Sequence, residues 1–219
     1  MSAKDMILEA LKAEDARKGR SLQKEIGVSE IGGCRTAVWF KYNGHVGTNE
    51  TLNLAAIMGT AIHVAVEKAV ATHTFGTVEV EVEVEFEGLK GHVDLLDRVN
   101  GEVIDLKTST LKNRAYFADP QQRGQVHGYG RLLTETGTPI KTVTLVGIFR
   151  DGNETHVMEW SEPYNEQIAL DGVTWLEEVK AMTFAPPPEK PATYCKDYCE
   201  FYGELCKGKA SNYKKKRTW

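Results

Sequence analysis

The spacing of apolar residues changes along the chain, and each change marks an element. Residues 3–18 repeat at helical spacing, with Met6, Ile7, Ala10 and Leu11 on one face. Residues 52–73, LNLAAIMGTAIHVAVEKAVATH, predict a second amphipathic helix. Its apolar stripe is Leu54, Ile57, Ala61, Ile62, Ala65 and Ala69. The period then shortens to two. In TVEVEVEVEFE, Val78, Val80, Val82, Val84 and Phe86 alternate with five glutamates, which predicts a strand with one face in water. GHVDLLDRV and GEVIDLKTS read as two further strands, with Asn100-Gly101 as the dipeptide of a tight hairpin. Asp119 and Pro120 are the start signals of a helix running to about Thr136. KTVTLVGIFR and ETHVMEWSE predict a hairpin across Asp151-Gly152, followed by a helix over residues 164–181. APPPEKPA then breaks regular structure. This order predicts a mixed α/β fold, a central mixed sheet flanked by helices.

Composition narrows the class. The chain has 219 residues, 41% hydrophobic and 26% charged, so it can bury a core without needing metal or disulfides merely to fold. No apolar run is read as reaching the ~18 residues of a membrane span. The N-terminus lacks the apolar core of a signal peptide, so a cytoplasmic protein without a membrane partner is expected. The net charge of −4 does not advertise a nucleic-acid partner, but the tail KGKASNYKKKRTW carries six basic residues and no acid. A solvated terminus and a phosphate-contacting arm both fit that tail.

The strand VIDLK places Asp105 and Lys107 on one face, together with Val103, while Ile104 and Leu106 point the other way towards a core. A hairpin brings Asp94 beside Asp105. Two carboxylates at one spot repel unless a divalent cation holds them together, and oxygen donors of this kind suit Mg²⁺ or Mn²⁺. A lysine beside them can orient water or stabilise charge on a phosphate. On this tripeptide alone, an ordinary cross-strand Asp–Lys pair on a wet face is the simpler reading. Gly59, His63 and Glu67 recur every four residues on a helix face away from the apolar stripe. Gln121, Gln125 and Tyr129 share a face of the later helix.

Cys34 is followed by a C-terminal group, Cys195, Cys199 and Cys206. In a reducing compartment such thiols are metal ligands more often than disulfides. Closing a loop of ~160 residues costs about 4–5 kcal/mol of chain entropy. A structural metal site supplies on the order of 10 kcal/mol, which outweighs that cost. Zinc is the rival occupant, although zinc sites favour paired C-x2-C knuckles.

Together these residues resemble the PD-(D/E)XK nuclease superfamily, in particular its RecB-like branch. The pieces are GTAIH ending at His63, Asp94 in GHVD, Asp105 and Lys107 in IDLK, and QVHGY with Gln125 and Tyr129. The four cysteines are similar to the [4Fe–4S] clamp of the AddB nuclease domain and of the RecB-like exonuclease encoded with CRISPR adaptation genes, the fourth Cas protein. The resemblance covers roughly residues 29–208. Two departures touch the cluster. Arg35 follows Cys34 directly rather than two residues on, and the C-x3-C-x6-C spacing is longer than usual.

The resemblance implies a metal-dependent DNA exonuclease acting on single-stranded ends, with 5′→3′ polarity favoured. His63, Asp94, Asp105 and the Leu106 carbonyl would hold Mn²⁺ or Mg²⁺. Lys107 would position water or phosphate, Gln125 and Tyr129 would help hold substrate or water, and Glu67 would support the ligands. Cys34, Cys195, Cys199 and Cys206 would carry the cluster and close a covered channel for the strand. The expected organisation is a helical region over residues 1–50, the nuclease core over 51–185 and the Cys-rich segment over 186–219, forming one compact body. Recombination or CRISPR-adaptation proteins are the implied partners. An inactive binding module on the same fold and a double-strand-end recombination exonuclease are the alternatives.

Overall fold

The structure, a computed structural model, describes residues 2–17, 26–73 and 78–210. Alternating valine and glutamate do build a strand, β1 (Val78–Phe86), whose valines and Phe86 turn inward while its glutamates are exposed. It is the edge of a five-stranded sheet with β2 (Leu89–Asp97), β3 (Glu102–Ser109), β4 (Thr142–Phe149) and β5 (Met158–Pro163), in that spatial order. β1, β2 and β3 form an antiparallel meander, β3 and β4 run parallel, and β5 returns antiparallel to β4.

Turn chemistry sets these registers. Glu87 and Gly88 both have positive φ (51° and 75°) and join Phe86 to its partner Leu89, a two-residue turn matched to strand twist. The β2–β3 connection is longer than the Asn100-Gly101 dipeptide predicts. Asp97 and Glu102 are the last pair, leaving residues 98–101 as the loop. The Asp97 carboxylate organises it by accepting the Val99 and Asn100 N–H groups, each at 3.0 Å.

The helices are α1 (Ala3–Arg17), α2 (Arg35–Tyr42), α3 (Leu54–Thr72), α4 (Pro120–Glu135), α5 (Glu166–Lys180) and α6 (Ala192–Tyr198). α4 starts as expected: the Asp119 side chain accepts the Gln122 N–H at 2.9 Å and Pro120 occupies the first turn. It is the crossover between the parallel strands and buries Val126, His127, Tyr129, Leu132 and Leu133. The core comprises these residues with Val93, Leu96, Val103, Val143 and Leu145.

Two expectations and one alternative reading need correction. In α3 the stripe Leu54, Ala61, Ala65 and Ala69 is exposed, and Ile57 and Ile62 are only half-buried. The buried positions are Gly59 and Glu67, so the polar face turns to the sheet. In β3 the face bearing Asp105 is not wet: Val103 and Asp105 are as buried as Leu106 on the opposite face. Finally, α3 is long and apolar enough by length and composition to cross a membrane. Its His63 and Glu67 nevertheless gather with Asp94 of β2, so it serves as a covering helix of this sheet.

The chain forms two compact units. One holds residues 25–33 and 54–178, the sheet with its covering helices. The other draws on residues 1–24, 34–53 and 179–219, and within its described part lie all four cysteines. In this unit the segment after Cys34 is laced to the C-terminal segment. Arg35 N–H donates to Glu189 Oε2 at 2.8 Å, Trp39 Nε1–H to the Met182 carbonyl at 2.8 Å, and Asn49 Nδ2–H to the Cys199 carbonyl at 2.9 Å. Phe40 packs on Phe201 with ring centroids 5.5 Å apart. The apolar face expected of α1 is exposed at Met6 and Ile7.

Candidate active site

The site forms where the meander splits. Pairing between β2 and β3 extends up to Leu95 and Ile104. The next residues along each strand are Asp94 and Asp105. From there β3 stays with β4 as far as Ser109, while β2 stays with β1. A carboxylate fills the place of a missing main-chain acceptor: Asp94 Oδ2 accepts the Leu106 N–H at 2.7 Å. That bond fixes Asp94, and its other oxygen, Oδ1, lies 3.3 Å from His63 Nδ1 on α3.

Lys107 is held from two sides. Its Nζ lies 2.6 Å from Asp105 Oδ2 and donates to Gln125 Oε1 at 2.8 Å. Gln125 in turn donates to the Tyr129 hydroxyl at 2.9 Å and reaches Asp105 Oδ1 at 3.4 Å. Helical spacing puts Gln125 and Tyr129 one turn apart on α4, so the pair reaches the strand together. Tyr129 is packed against Gly91 of β2, where even a Cβ would come within 2.6 Å of the ring. Gln121 takes no part in this network and instead packs beside Gly32 and Gly33.

The residues expected from sequence thus converge, with one rearrangement. Among the described residues, His63, Glu67 and Asp94 are the group whose ligand atoms all lie within 4.8 Å of one another. Asp105 stands beside this group, engaged by Lys107 and Gln125. Glu67 is a full member of the gathering rather than a support. Burial, then the neighbouring carboxyls of Glu81 and Asp94, push Glu67 up to about 7. Burial also raises Asp105, with Lys107 pulling it back and Asp94 adding to the rise. One buried oxygen here, Glu67 Oε1, lacks a hydrogen bond, while Asp105 Oδ2 is engaged by the Lys107 ammonium. Crowded carboxylates with an unsatisfied oxygen are the environment a divalent cation relieves, so these residues fit Mg²⁺ or Mn²⁺.

Glu81 is the residue that sequence reasoning missed. Its φ of 49° is a left-handed conformation inside a strand, and its pairing with Asp94 is absent from the ladder. Its carboxyl lies against Glu67. Alternation alone assigns it to the wet face with the other glutamates, so no periodic signal marks it out.

In the other unit the four thiols are free. Cys34 precedes α2, Cys195 lies in α6, and Cys199 caps the end of α6. Burial, then the Cys199, Cys206 and Cys34 thiols, push Cys195 up to about 11. The Gly208 N–H donates to Cys206 Sγ at 3.4 Å. The sulfurs do not form the tight group a single ion needs. Zn–S bonds of about 2.3 Å put thiolates about 3.8 Å apart. Among the described residues no three cysteine sulfurs lie within 4.8 Å of one another.

A model of the PD-(D/E)XK nuclease superfamily matches residues 60–207, which span His63, Asp94, Asp105, Lys107, Gln125, Tyr129 and the three C-terminal cysteines. No curated protein matches the chain by sequence. Among solved structures, SSO0001 is similar at a TM-score of 0.56 and 21% identity, over 92% of this chain and 95% of that one. The alkaline exonuclease LHK-Exo from Laribacter hongkongensis is similar at a TM-score of 0.53 and 11% identity, over 72% of this chain and 87% of that one. Its complex with dAMP is similar at a TM-score of 0.51 and 13% identity, again over 72% and 87%.

Proposed function

The chain belongs to the PD-(D/E)XK nuclease superfamily, and from that premise we propose that it is a metal-dependent DNA exonuclease acting on single-stranded ends. The observation that carries this reading is the split between β2 and β3. There Asp94 is pinned by the Leu106 N–H, and Lys107 is clamped between Asp105 and Gln125. His63, Glu67 and Asp94 would hold Mg²⁺ or Mn²⁺, with Asp105 and the Leu106 carbonyl as further donors. A bound cation supplies Lewis-acid polarisation of a phosphoryl oxygen and makes water more acidic.

The chain's own residues supply the rest. The Lys107 ammonium is half-buried and fixed on two sides, so it can orient a water toward phosphorus or offset the charge that develops there. Hydrolysis adds that water's oxygen to phosphorus, breaks one phosphodiester P–O bond and returns a proton to the departing oxygen. Gln125 and Tyr129 keep the ammonium from collapsing onto Asp105 alone.

The iron–sulfur reading follows from the second unit. Cys34, Cys195, Cys199 and Cys206 would hold a [4Fe–4S] cluster, which belongs with the RecB-like branch. Four free thiols within one unit, with an N–H aimed at the Cys206 sulfur, are what supports it. An anaerobic preparation should be brown and contain about four irons per chain by the cluster's stoichiometry. A colourless preparation with stoichiometric zinc overturns it.

The decisive assay offers end-labelled single-stranded and duplex DNA with Mn²⁺, Mg²⁺ or EDTA. The native protein should degrade single strands only with metal, and the labelled end reports polarity, for which the RecB-like resemblance favours 5′→3′. Lys107→Ala should lose roughly 100-fold or more in rate while still binding DNA. Binding without cleavage under every metal refutes the enzyme reading.

A further inference from the structure

The C-terminal end of β3 carries chemistry that the Lys107 network does not use. The chain leaves the sheet at Thr110, makes a 3-10 turn over Leu111–Tyr116 and reaches Asp119 at the start of α4. Both ends of this loop are anchored. The Leu111 N–H donates to Asp151 Oδ1 at 2.8 Å. Phe117 packs edge-on against Phe149 at 6.5 Å and lies over Gly147, where a Cβ would meet the ring at 2.8 Å. The Ala118 N–H donates to Gln122 Oε1 at 2.7 Å, with φ of 55°, a conformation that non-glycine residues avoid.

The residues between the anchors face solvent. Lys112, Asn113, Arg114 and Tyr116 are all exposed, and Tyr116 is 70% exposed. No carboxylate occurs from Thr108 to Ala118. Arg150 joins them, because its N–H donates to the Ser109 carbonyl at 3.0 Å and so places it beside the same strand end. Among the described residues, Lys112, Arg114 and Arg150 enter no ion pair. The acids flanking the loop are Asp105, engaged by Lys107, and Asp119, whose carboxylate takes the Gln122 N–H; beyond Arg150 come Asp151, whose carboxylate takes the Leu111 N–H, and exposed Glu154.

The location has a general meaning. Ser109 and Phe149 end the parallel pair β3–β4 at one edge, and ligands of α/β sheets gather outside the carboxyl ends of parallel strands. Lys112 is five residues beyond Lys107, at most ~17 Å of extended chain. A polymer running past Lys107 therefore meets this loop within a few repeats. An exposed aromatic ring on a loop anchored at both ends and carrying cations matches one polymer best. An unpaired base offers a free π-face and its phosphates offer charge, whereas duplex bases are already stacked on one another.

We propose that Tyr116 is a stacking site for an unpaired base of single-stranded nucleic acid, with Lys112, Arg114 and Arg150 on the flanking phosphates. This rests on the nuclease reading and adds to it the physical basis for preferring a single strand. The test is fluorescence anisotropy of a labelled oligothymidylate, and of a duplex of equal length, with the full chain in EDTA so that nothing is cut. Tyr116→Ala should weaken single-strand binding roughly 5- to 150-fold and Tyr116→Phe should restore it, with duplex binding unchanged. Lys112→Ala with Arg114→Ala should lower the slope of log affinity against log salt by about 1.4.

Unchanged single-strand binding in Tyr116→Ala overturns the proposal. So does an equal loss on duplex, or failure of phenylalanine to rescue a variant with an unaltered melting temperature. Metal-dependent cleavage by the native chain, measured beside it, separates the readings. Cleavage with an unaltered Tyr116→Ala affinity sinks only the stacking site. A base-specific loss of binding in a protein that never cuts sinks only the nuclease.

Discussion

Glu67 is where the active-site chemistry is most exposed to test at the residue scale. Its buried Oε1 lacks a hydrogen bond, and its carboxyl sits with His63 and Asp94. If it is a cation ligand, Glu67→Gln keeps the shape and removes the charge. We expect Mn²⁺ affinity to fall about tenfold or more, read from the free-ion signal in electron paramagnetic resonance. An unchanged affinity would return Glu67 to a purely structural role. Gly91 makes a second test at this scale. A methyl there would lie 2.6 Å from Tyr129 Cε1, a ring edge with no room to yield. Gly91→Ala should cost about 1–3 kcal/mol, measured by urea denaturation, and should loosen the Tyr129–Gln125–Lys107 chain.

At the scale of elements, α4 is joined to the edge strand β5 by a buried polar contact. His127 is fully buried, and its Nε2 lies 2.7 Å from Glu162 Oε1. Its Nδ1 accepts the Asn165 N–H at 3.2 Å, so the neutral ring satisfies both partners with Nε2 as donor. Arg123 holds the same carboxylate at 2.9 Å and stacks over Trp160, 4.9 Å from its centroid. Burial lowers His127 below its ordinary 6.5. Burial alone would raise Glu162, but the His127 and Arg123 hydrogen bonds bring it below 4.5.

Both signs agree. In each case the unfolded chain binds the proton at a higher pH than the folded one, so stability is lost on acidification. The loss should begin as pH falls below about 6.5 through His127 and deepen below about 4.5 through Glu162. Glu67, held up at about 7, gains stability over the same interval, so the test is the difference between native and His127→Gln thermal melts across pH. The native chain's advantage over His127→Gln should shrink between pH 6.5 and 5, and an advantage that grows over that interval would contradict it.

At the scale of the whole molecule, the sheet unit and the cysteine unit make separate predictions. The thiols sit in the second unit, beside the contacts joining Arg35, Thr36 and Trp39 to residues 182–189. If the four cysteines hold the proposed cluster, Cys195→Ser should abolish visible absorbance and iron content and make residues 34–53 and 179–210 sensitive to protease. Retention of iron by that variant would refute the four-cysteine ligand set. An acidic chain that binds DNA relies on local cations; if the β3-end loop is such a contact, affinity should fall steeply with salt.

Much of the chemistry is legible in the amino-acid order alone. Period-two alternation locates β1, the Asp119-Pro120 signal locates the start of α4, and spacing puts Asp105 and Lys107 on one face, because each of these depends on neighbours within a turn or a strand. The spacings of the candidate site are visible for the same reason: His63 with Glu67, and Gln125 with Tyr129, each lie one helical turn apart. What local pattern cannot supply is which face of α3 turns inward. Its apolar stripe suggests burial, yet Gly59 and Glu67 are the buried residues, because which face meets the sheet is set by contacts between distant segments. Nor can alternation reveal that both faces of β3 are covered, that the β2–β3 ladder parts at Asp94, or that Glu81 breaks its own strand to meet Glu67. Those outcomes depend on contacts between residues far apart in the chain, where burial and unpaired main-chain groups set the energy and sequence neighbours carry no record of it.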